Sequence, residues 1–447
     1  ADWRPNSQWK IGLGLRWDRQ EHPDFGIADF TGNAVAYTRP GALTGRIPTN
    51  SAISPRFSFT WTPAADHGRT VVRGSAGSYV SRSPSVFLYQ VFTSNGQRAA
   101  QIRINSSPAP VLAAITAVYP DFLRGSSFNW NSPFQLPEDA FTSNPSLFSG
   151  APPQIQTFDP DFKNPETRRV HLEVERAFGK GWTLGLKTTY AKTKHLERVT
   201  DLNLSYLGEN ANGRRIYNNN AGLAWTGSGS LVRPNTSYAG MQVYVSDAES
   251  EYQAGTFTVR YQDSDSPFSG QLAYTYAREK DNDSNERSFS GFYAQDPNRL
   301  QDEWSWSNND RRHVVSGYLT FREKWLTNLV ASFIFRFQSG TPYNPTFSND
   351  LNADGVRGND RPVGVERNAY REASRKYVDL KLSRDIRFNK RFVLNLSAEV
   401  SNLFNQTARY TRLNSITGTD AAPVFNYTPD WSISYGREVQ LGARFSF

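Results

Sequence analysis

The most constraining feature of this 447-residue chain is a two-residue hydrophobic period that recurs from one end to the other. Near the C-terminus Tyr435, Arg437, Val439, Leu441, Ala443, Phe445 and Phe447 share one parity, and Gly436, Glu438, Gln440, Gly442, Arg444 and Ser446 share the other. Successive side chains of a β-strand point to opposite faces, so this segment reads as a strand with one apolar and one polar face. The same alternation runs through residues 11–17, 57–61, 72–76, 170–174, 184–190, 257–261, 272–276, 315–321, 329–337, 378–382 and 392–400. The stripe Val72, Gly74, Ala76 is the weakest. About twelve strands are predicted, many near the ~9–11 residues of a tilted membrane strand. Soluble strands usually have about 5–6.

The polar faces carry full charges: Glu173, Lys187, Arg260, Asp379, Lys381 and Glu399. A soluble core would not hold these unpaired, whereas a wet barrel lumen would. The lengths of the connections alternate too. Short links at 62–69, 178–182, 263–267, 322–325 and 388–391 are interleaved with long segments at 20–54, 80–165, 197–241, 279–309, 340–375 and 405–434. Short periplasmic turns and long extracellular loops are the asymmetry of outer-membrane barrels. A structureless segment as long as 80–165 argues against a compact soluble domain. Trp61, Phe178, Trp182, Trp325, Phe388 and Phe392 cluster near the short turns, as an interfacial girdle does. The predicted fold is therefore all-β, a transmembrane antiparallel up-and-down β-barrel occupying residues 1–447.

Composition removes the competing classes. No stretch approaches the roughly 18–20 apolar residues of a membrane helix. With no cysteine, disulfide scaffolds, thiol catalysis and Cys-ligated zinc are excluded. The net charge of +8 is spread among mixed signs, without the basic run of a nucleic-acid footprint, so no nucleic-acid partner is expected. Ala1–Lys10 lacks the apolar core of a signal peptide.

Three groups of residues invite a chemical reading. Asp350-x-Asn352-x-Asp354-Gly355 has the alternating oxygen ligands and glycine reversal that open an EF-hand-type calcium loop. Position 12 of that loop is Arg361 instead of glutamate, and Asp360 is the candidate substitute; an exposed Asx-rich turn suits the same residues. Calcium is thus the one candidate cofactor. Aromatic and amide patches at Trp130, at Trp304 and Trp306, and at Tyr343 and Asn344 suit glycans, peptides or siderophores, and equally suit loop packing. Arg311 and Arg312, beside the Trp-rich patch, are expected at lipid headgroup phosphates. The five histidines show no metal-ligand spacing, and His313 and Ser316 have opposite parity, so no catalytic residues and no enzymatic activity are expected.

Two resemblances add to this reading. Gln440-Leu-Gly442-Ala-Arg-Phe445-Ser-Phe447 resembles the terminal signal by which outer-membrane proteins reach the barrel assembly machinery. Four stretches resemble the Oar-like branch of TonB-dependent outer-membrane receptors. They are Trp3-Arg-Pro-Asn-Ser-Gln-Trp-Lys-Ile-Gly-Leu-Gly-Leu-Arg16-Trp-Asp18, Ser339-Gly340-Thr-Pro342-Tyr343, the Asp350–Gly355 segment followed by Asn359-Asp360-Arg361-Pro362, and Glu399-Val-Ser-Asn402-Leu403-Phe404-Asn405. The resemblance implies a barrel of 22 strands with an N-terminal plug gated by the TonB complex. No plug is seen ahead of the first strand, so the chain is expected to be the C-terminal part of such a barrel. A closed ring of twelve strands is the alternative, and pairing of the strand near Trp9 with the strand ending at Phe447 would mark it.

The function implied is that of a bacterial outer-membrane receptor or transporter for TonB-energised passage of a siderophore, glycan, peptide or protein. A passive porin-like channel and an adhesive surface barrel are the alternatives. Its expected partners are outer-membrane lipid and lipopolysaccharide, the assembly machinery, and the TonB complex through a plug absent from this chain.

Overall fold

In the computed structural model the alternating segments form one antiparallel sheet. Residues 2–22, 48–83, 154–217, 240–283, 294–323, 328–388, 391–432 and 436–447 are described, with a few positions between 87 and 118. In chain order the strands are β1 (Asp2–Asn6), β2 (Trp9–Gln20), β3 (Asn50–Trp61), β4 (Thr70–Val80), β5 (Glu166–Phe178), β6 (Trp182–Asp201) and β7 (Gly240–Gln262). They continue as β8 (Phe268–Asp281), β9 (His313–Arg322), β10 (Leu329–Gln338), β11 (Arg375–Arg387), β12 (Val393–Ser401) and β13 (Glu438–Ser446). Each pairs with the next, from β1 at one edge to β13 at the other. Among the described residues the two edges do not meet, so the closure required of a twelve-stranded ring is not formed.

All twelve predicted stripes are strands of this sheet, and there is one more. Asp2–Asn6, which carries no predicted stripe, is itself β1, folded back on β2 by a tight turn. Asn6 Oδ1 closes that turn by accepting the main-chain N–H of Gln8 at 2.9 Å and of Trp9 at 3.1 Å. A second departure lies in 405–434, expected to be loop, where Arg409–Thr419 and Ala422–Ser432 form a separate hairpin. Its register slips twice, between Tyr410 and Arg412 and between Leu413 and Ser415. Each slip breaks the two-residue parity, which is why no stripe is visible there.

The register sorts the faces. Ile11, Phe59, Gly74 and Leu172 stand in line across β2 to β5, with Trp9, Trp61, Val72, Val174, Leu186 and Phe257 on the same face. This face leaves large apolar side chains such as Leu15, Leu186 and Leu441 exposed, as lipid contact requires and water does not favour. The opposite face reads Lys10, Thr60, Arg73, Glu173, Lys187, Thr256 and Thr275 in a single row. The weak stripe on β4 also has its explanation. Phe59 lies over Gly74, where an added Cβ would sit 2.3 Å from the ring, and Phe335 covers Gly317 in the same way. An aromatic ring on one strand thus supplies the apolar surface that a glycine on its neighbour lacks.

Short turns and long connections alternate at the two ends of the sheet, as predicted. In the short turn Phe178–Trp182, Gly179 has φ 50° and Gly181 φ 78°. Gly181 also lies so close to Gln262 that a Cβ would meet its carbonyl oxygen at 2.7 Å. At the other end β6 and β7 run to 20 and 23 residues, beyond what the bilayer requires. Along this extension Gln154–Phe158 pairs in parallel with Gly240–Tyr244. The buried apolar clusters of the described residues lie in and around these extensions: Phe158, Phe162 and Tyr244; Met241, Val243 and Leu300; Phe347, Leu351 and Ile416. The packed core therefore sits in the loop cap, while the sheet itself faces lipid on one side and water on the other.

Candidate functional site

The loop cap is held by buried arginines, each bridging segments far apart in sequence. Arg214 donates to Asp360 Oδ1 at 2.6 Å and to both carboxylate oxygens of Asp420 at 2.6 Å, and Nη2 reaches the Arg361 carbonyl at 2.7 Å. Arg361 holds Glu303 through two bonds of 2.9 and 3.0 Å. Arg367 pairs with Asp281 at the end of β8 and donates to the Glu303 carbonyl at 2.9 Å. All of these side chains are buried. Planar guanidinium groups making paired bonds suit this task better than lysine would. None of the arginines was singled out from the sequence as a site residue, because their carboxylates lie between 58 and 206 residues away along the chain.

The acidic loop stands inside this frame. Asp350, Asn352 and Asp354 are all buried, and the structure brings them together. Gly355 and Asp354 donate their N–H groups to Asp350, Asp354 donates again to Asn352 Oδ1, and Val356 donates to Asp354 Oδ1. Asp360 is placed differently from the fourth ligand that spacing predicted. One of its oxygens faces Arg214 and the other accepts the N–H groups of Leu351 and Asn352. Its neighbour Asn359 meets Asp354 instead, with Nδ2 3.1 Å from Oδ2. Burial, reinforced by the Asp360 charge, pushes the Asp350 carboxyl up to about 6. Asp354 is raised well above the usual range by burial and by the charges of Asp350 and Asp360.

The aromatic candidates form a second cluster. Trp306 is flanked by cations, with Arg312 4.2 Å, Lys280 5.0 Å and Arg371 5.6 Å from its ring. Asn368 links it to Asn344, donating Nδ2 to the Trp306 carbonyl at 2.7 Å and its N–H to Asn344 Oδ1. Tyr343 packs against Tyr370 and under Arg412. Trp304 and Trp306, with Arg278, Lys280 and Arg312, line an open cleft of about 450 Å³. Of the two arginines expected at headgroups, Arg311 reaches the Ser339 carbonyl at 3.5 Å and Arg312 lies over the Trp306 ring. Trp130 lies outside the described residues.

On the sheet, Glu173, Lys187, Arg260, Asp379, Lys381 and Glu399 all fall on the polar face. Glu173 stands opposite Lys187, and Lys381 is ion-paired with Glu399. Asp379 accepts the Asn402 N–H at 2.8 Å, capping the end of β12.

Comparison with known proteins places this architecture. A family model described as an outer membrane beta barrel domain matches residues 1–366. The chain belongs to that family. It is a protein of the bacterial outer membrane, and β11 to β13, beyond the matched residues, continue the same barrel wall. Among solved structures it is similar to the FrpB iron transporter from Neisseria meningitidis (F5-1 variant), at 12% identity and a TM-score of 0.48, covering 99% of this chain and 44% of that one. It is also similar to the copper transporter OprC, at 13% identity and 0.47, covering 100% and 46%. A third is the ferric yersiniabactin uptake receptor FyuA from Yersinia pestis, at 11% and 0.44, covering 100% and 43%. The chain thus spans less than half the length of these structures. No curated protein matches its sequence.

Within this barrel family the terminal residues also have places. Gln440 faces Glu399 across β12–β13, and Gly442 lies against Ser397, whose Oγ would be 2.7 Å from an added Cβ. Phe445 stacks on Phe392 at 5.8 Å, and Phe447 is almost fully exposed beyond it.

Proposed function

We propose that this chain forms barrel wall and extracellular cap of a TonB-energised receptor of the Oar-like kind, built on 22 strands, which brings a scarce solute or polypeptide across the outer membrane. The observation that carries the reading is the loop cap. Arg214, Arg361 and Arg367 tie four long connections together through buried ion pairs, giving a fixed surface above the sheet. A passive channel needs an open mouth, and a rigid cap works against it. A receptor needs a preformed surface that captures before passage. The four stretches of Oar-like sequence support the same reading.

In this mechanism the exposed Trp304 and the amides around Asn344 and Asn368 offer stacking and hydrogen bonds to a ligand outside. The polar face, with Glu173, Lys187, Arg260, Asp379, Lys381 and Glu399, offers a hydrated path whose charges tune selectivity and carry out no chemistry. Gating falls to a plug domain energised by the TonB complex. The outward row Arg168, Lys192, Glu251, Lys280 and Trp306 lies above the apolar stripe and suits lipopolysaccharide phosphates at the membrane edge. The C-terminal strand from Gln440 to Phe447 is the segment offered to the assembly machinery.

Single-channel recording on the full-length protein in planar bilayers tests the proposal. A receptor is nearly silent until its gate is removed. A large, steady conductance from the intact protein would favour the porin-like alternative and overturn this one.

A further inference from the structure

The acidic loop leaves a charge that the ion-pair frame does not balance. Asp350 and Asp354 are 0% and 3% exposed, and neither has a basic partner among the described residues. Two arginines of the surrounding frame are already committed, Arg214 to Asp360 and Asp420, and Arg361 to Glu303. Burying carboxylates without a counter-charge costs several kcal/mol per ion.

A second, independent feature points to what supplies that charge. Asn359 is 8% exposed, and its amide is directed at Asp354. Its Oδ1 is buried with no hydrogen-bond partner. A buried side chain aimed at unbalanced carboxylates, with its own oxygen left unpartnered, is what a site would show without its cation. Nδ2 now donates to Asp354 Oδ2 at 3.1 Å and to the Ala294 carbonyl at 3.2 Å, and a cation held between those oxygens would turn the amide over so that Oδ1 faces them instead.

We propose that Asp350, Asn352, Asp354 and Asn359 hold one calcium ion. Two carboxylates and two amide oxygens make an all-oxygen donor set, which selects a hard cation over zinc or copper. Two carboxylates match the double charge of calcium. The carbonyls of Gln295 and Ala294, now accepting from Asn352 and Asn359 at 2.7 and 3.2 Å, border the same point. Calcium takes six to eight oxygens in a flexible shell, whereas magnesium demands a tighter octahedron. Among the described residues no three acidic or histidine side chains form a metal-holding group, and this site differs in drawing half its ligands from asparagine. Asp360 remains with Arg214 and is not a ligand. Because the ligands meet Ala294 and Gln295, and Tyr217 donates its N–H to the Asn352 carbonyl, the ion would clamp three long connections at one point. The inference concerns the cap alone and does not depend on transport.

The test uses full-length protein stripped with a chelator and titrated with calcium chloride, read by calorimetry and by proteolysis of the 350–368 segment. Saturable binding at millimolar calcium or tighter, with slower cleavage, is expected. Asp354→Asn should abolish both effects, and Asn359→Ala should weaken binding by about tenfold or more. Asp420→Asn, which loosens the neighbouring ion pair but removes no ligand, should still bind calcium. Absence of binding to the unmodified protein, or unchanged binding in Asp354→Asn, would overturn the proposal.

Discussion

Arg361 and Glu303 face each other across 58 residues of chain, Nη1 to Oε2 at 2.9 Å and Nη2 to Oε1 at 3.0 Å, both side chains buried. The pair joins the connection before β9 to the connection before β11. It also positions a shared node, since Arg367 donates to the main-chain carbonyl of the same Glu303. Removing one partner leaves a buried charge uncompensated, a larger effect than loss of the bond itself.

Arg361→Met should therefore destabilise the cap by about 3–5 kcal/mol while the sheet stays intact. Hydrogen exchange on the full-length protein would show faster exchange in 294–303 and 350–368, with strand amides unchanged. Arg361→Met combined with Glu303→Leu should recover much of the protection, because no orphan charge remains. Uniform loss of protection across the sheet would contradict the view that cap and wall are separately stabilised.

Two glycines on the apolar face make a contrasting pair. At Gly317 an added Cβ would lie 2.4 Å from the Phe335 ring, whereas at Gly255 nothing stands within 4 Å. Gly317→Leu must displace that ring and should cost about 1–3 kcal/mol. Gly255→Ala should be close to neutral. Unfolding of the two variants in lipid, measured side by side against the parent, checks the difference.

Much of this architecture is legible in the sequence, and the reason is the solvent. A strand that separates lipid from water must alternate, so Ile11 to Trp17, Phe257 to Tyr261 and Leu329 to Phe337 declare themselves. What did not alternate was missed. The Arg409–Thr419 strand slips parity twice, and β1 is too short to show a period. The cap was legible only in part. Asp350, Asn352 and Asp354 stand close together in sequence, so their spacing revealed them. Arg214 and Asp420 meet across 206 residues, and no local pattern marks such a pair. Asp360 was a reasonable ligand by spacing, but Arg214 claims it in three dimensions.

The last strand makes a prediction about assembly. Phe445 stacks on Phe392 with ring planes 15° apart, so it contributes to docking of β13 as well as to the terminal pattern. Phe445→Ala should lower the yield of folded barrel severalfold in cells, with unfolded chain accumulating. Phe445→Tyr, which keeps the ring, should restore most of it. The ratio of folded to unfolded bands on unheated gels is the measurement.

The central claim is that one face of this sheet meets lipid and the other meets water. The absence of cysteine makes it directly testable with single-cysteine variants of the full-length protein. Leu186 and Lys187 are consecutive residues on opposite faces of β6, and Phe257 and Thr256 are their cross-strand partners on β7. Labelled with a fluorophore in vesicles, Leu186→Cys and Phe257→Cys should be quenched by brominated lipid. Lys187→Cys and Thr256→Cys should be quenched by a water-soluble agent instead. Equal quenching of both members of each pair by the aqueous agent would contradict the account.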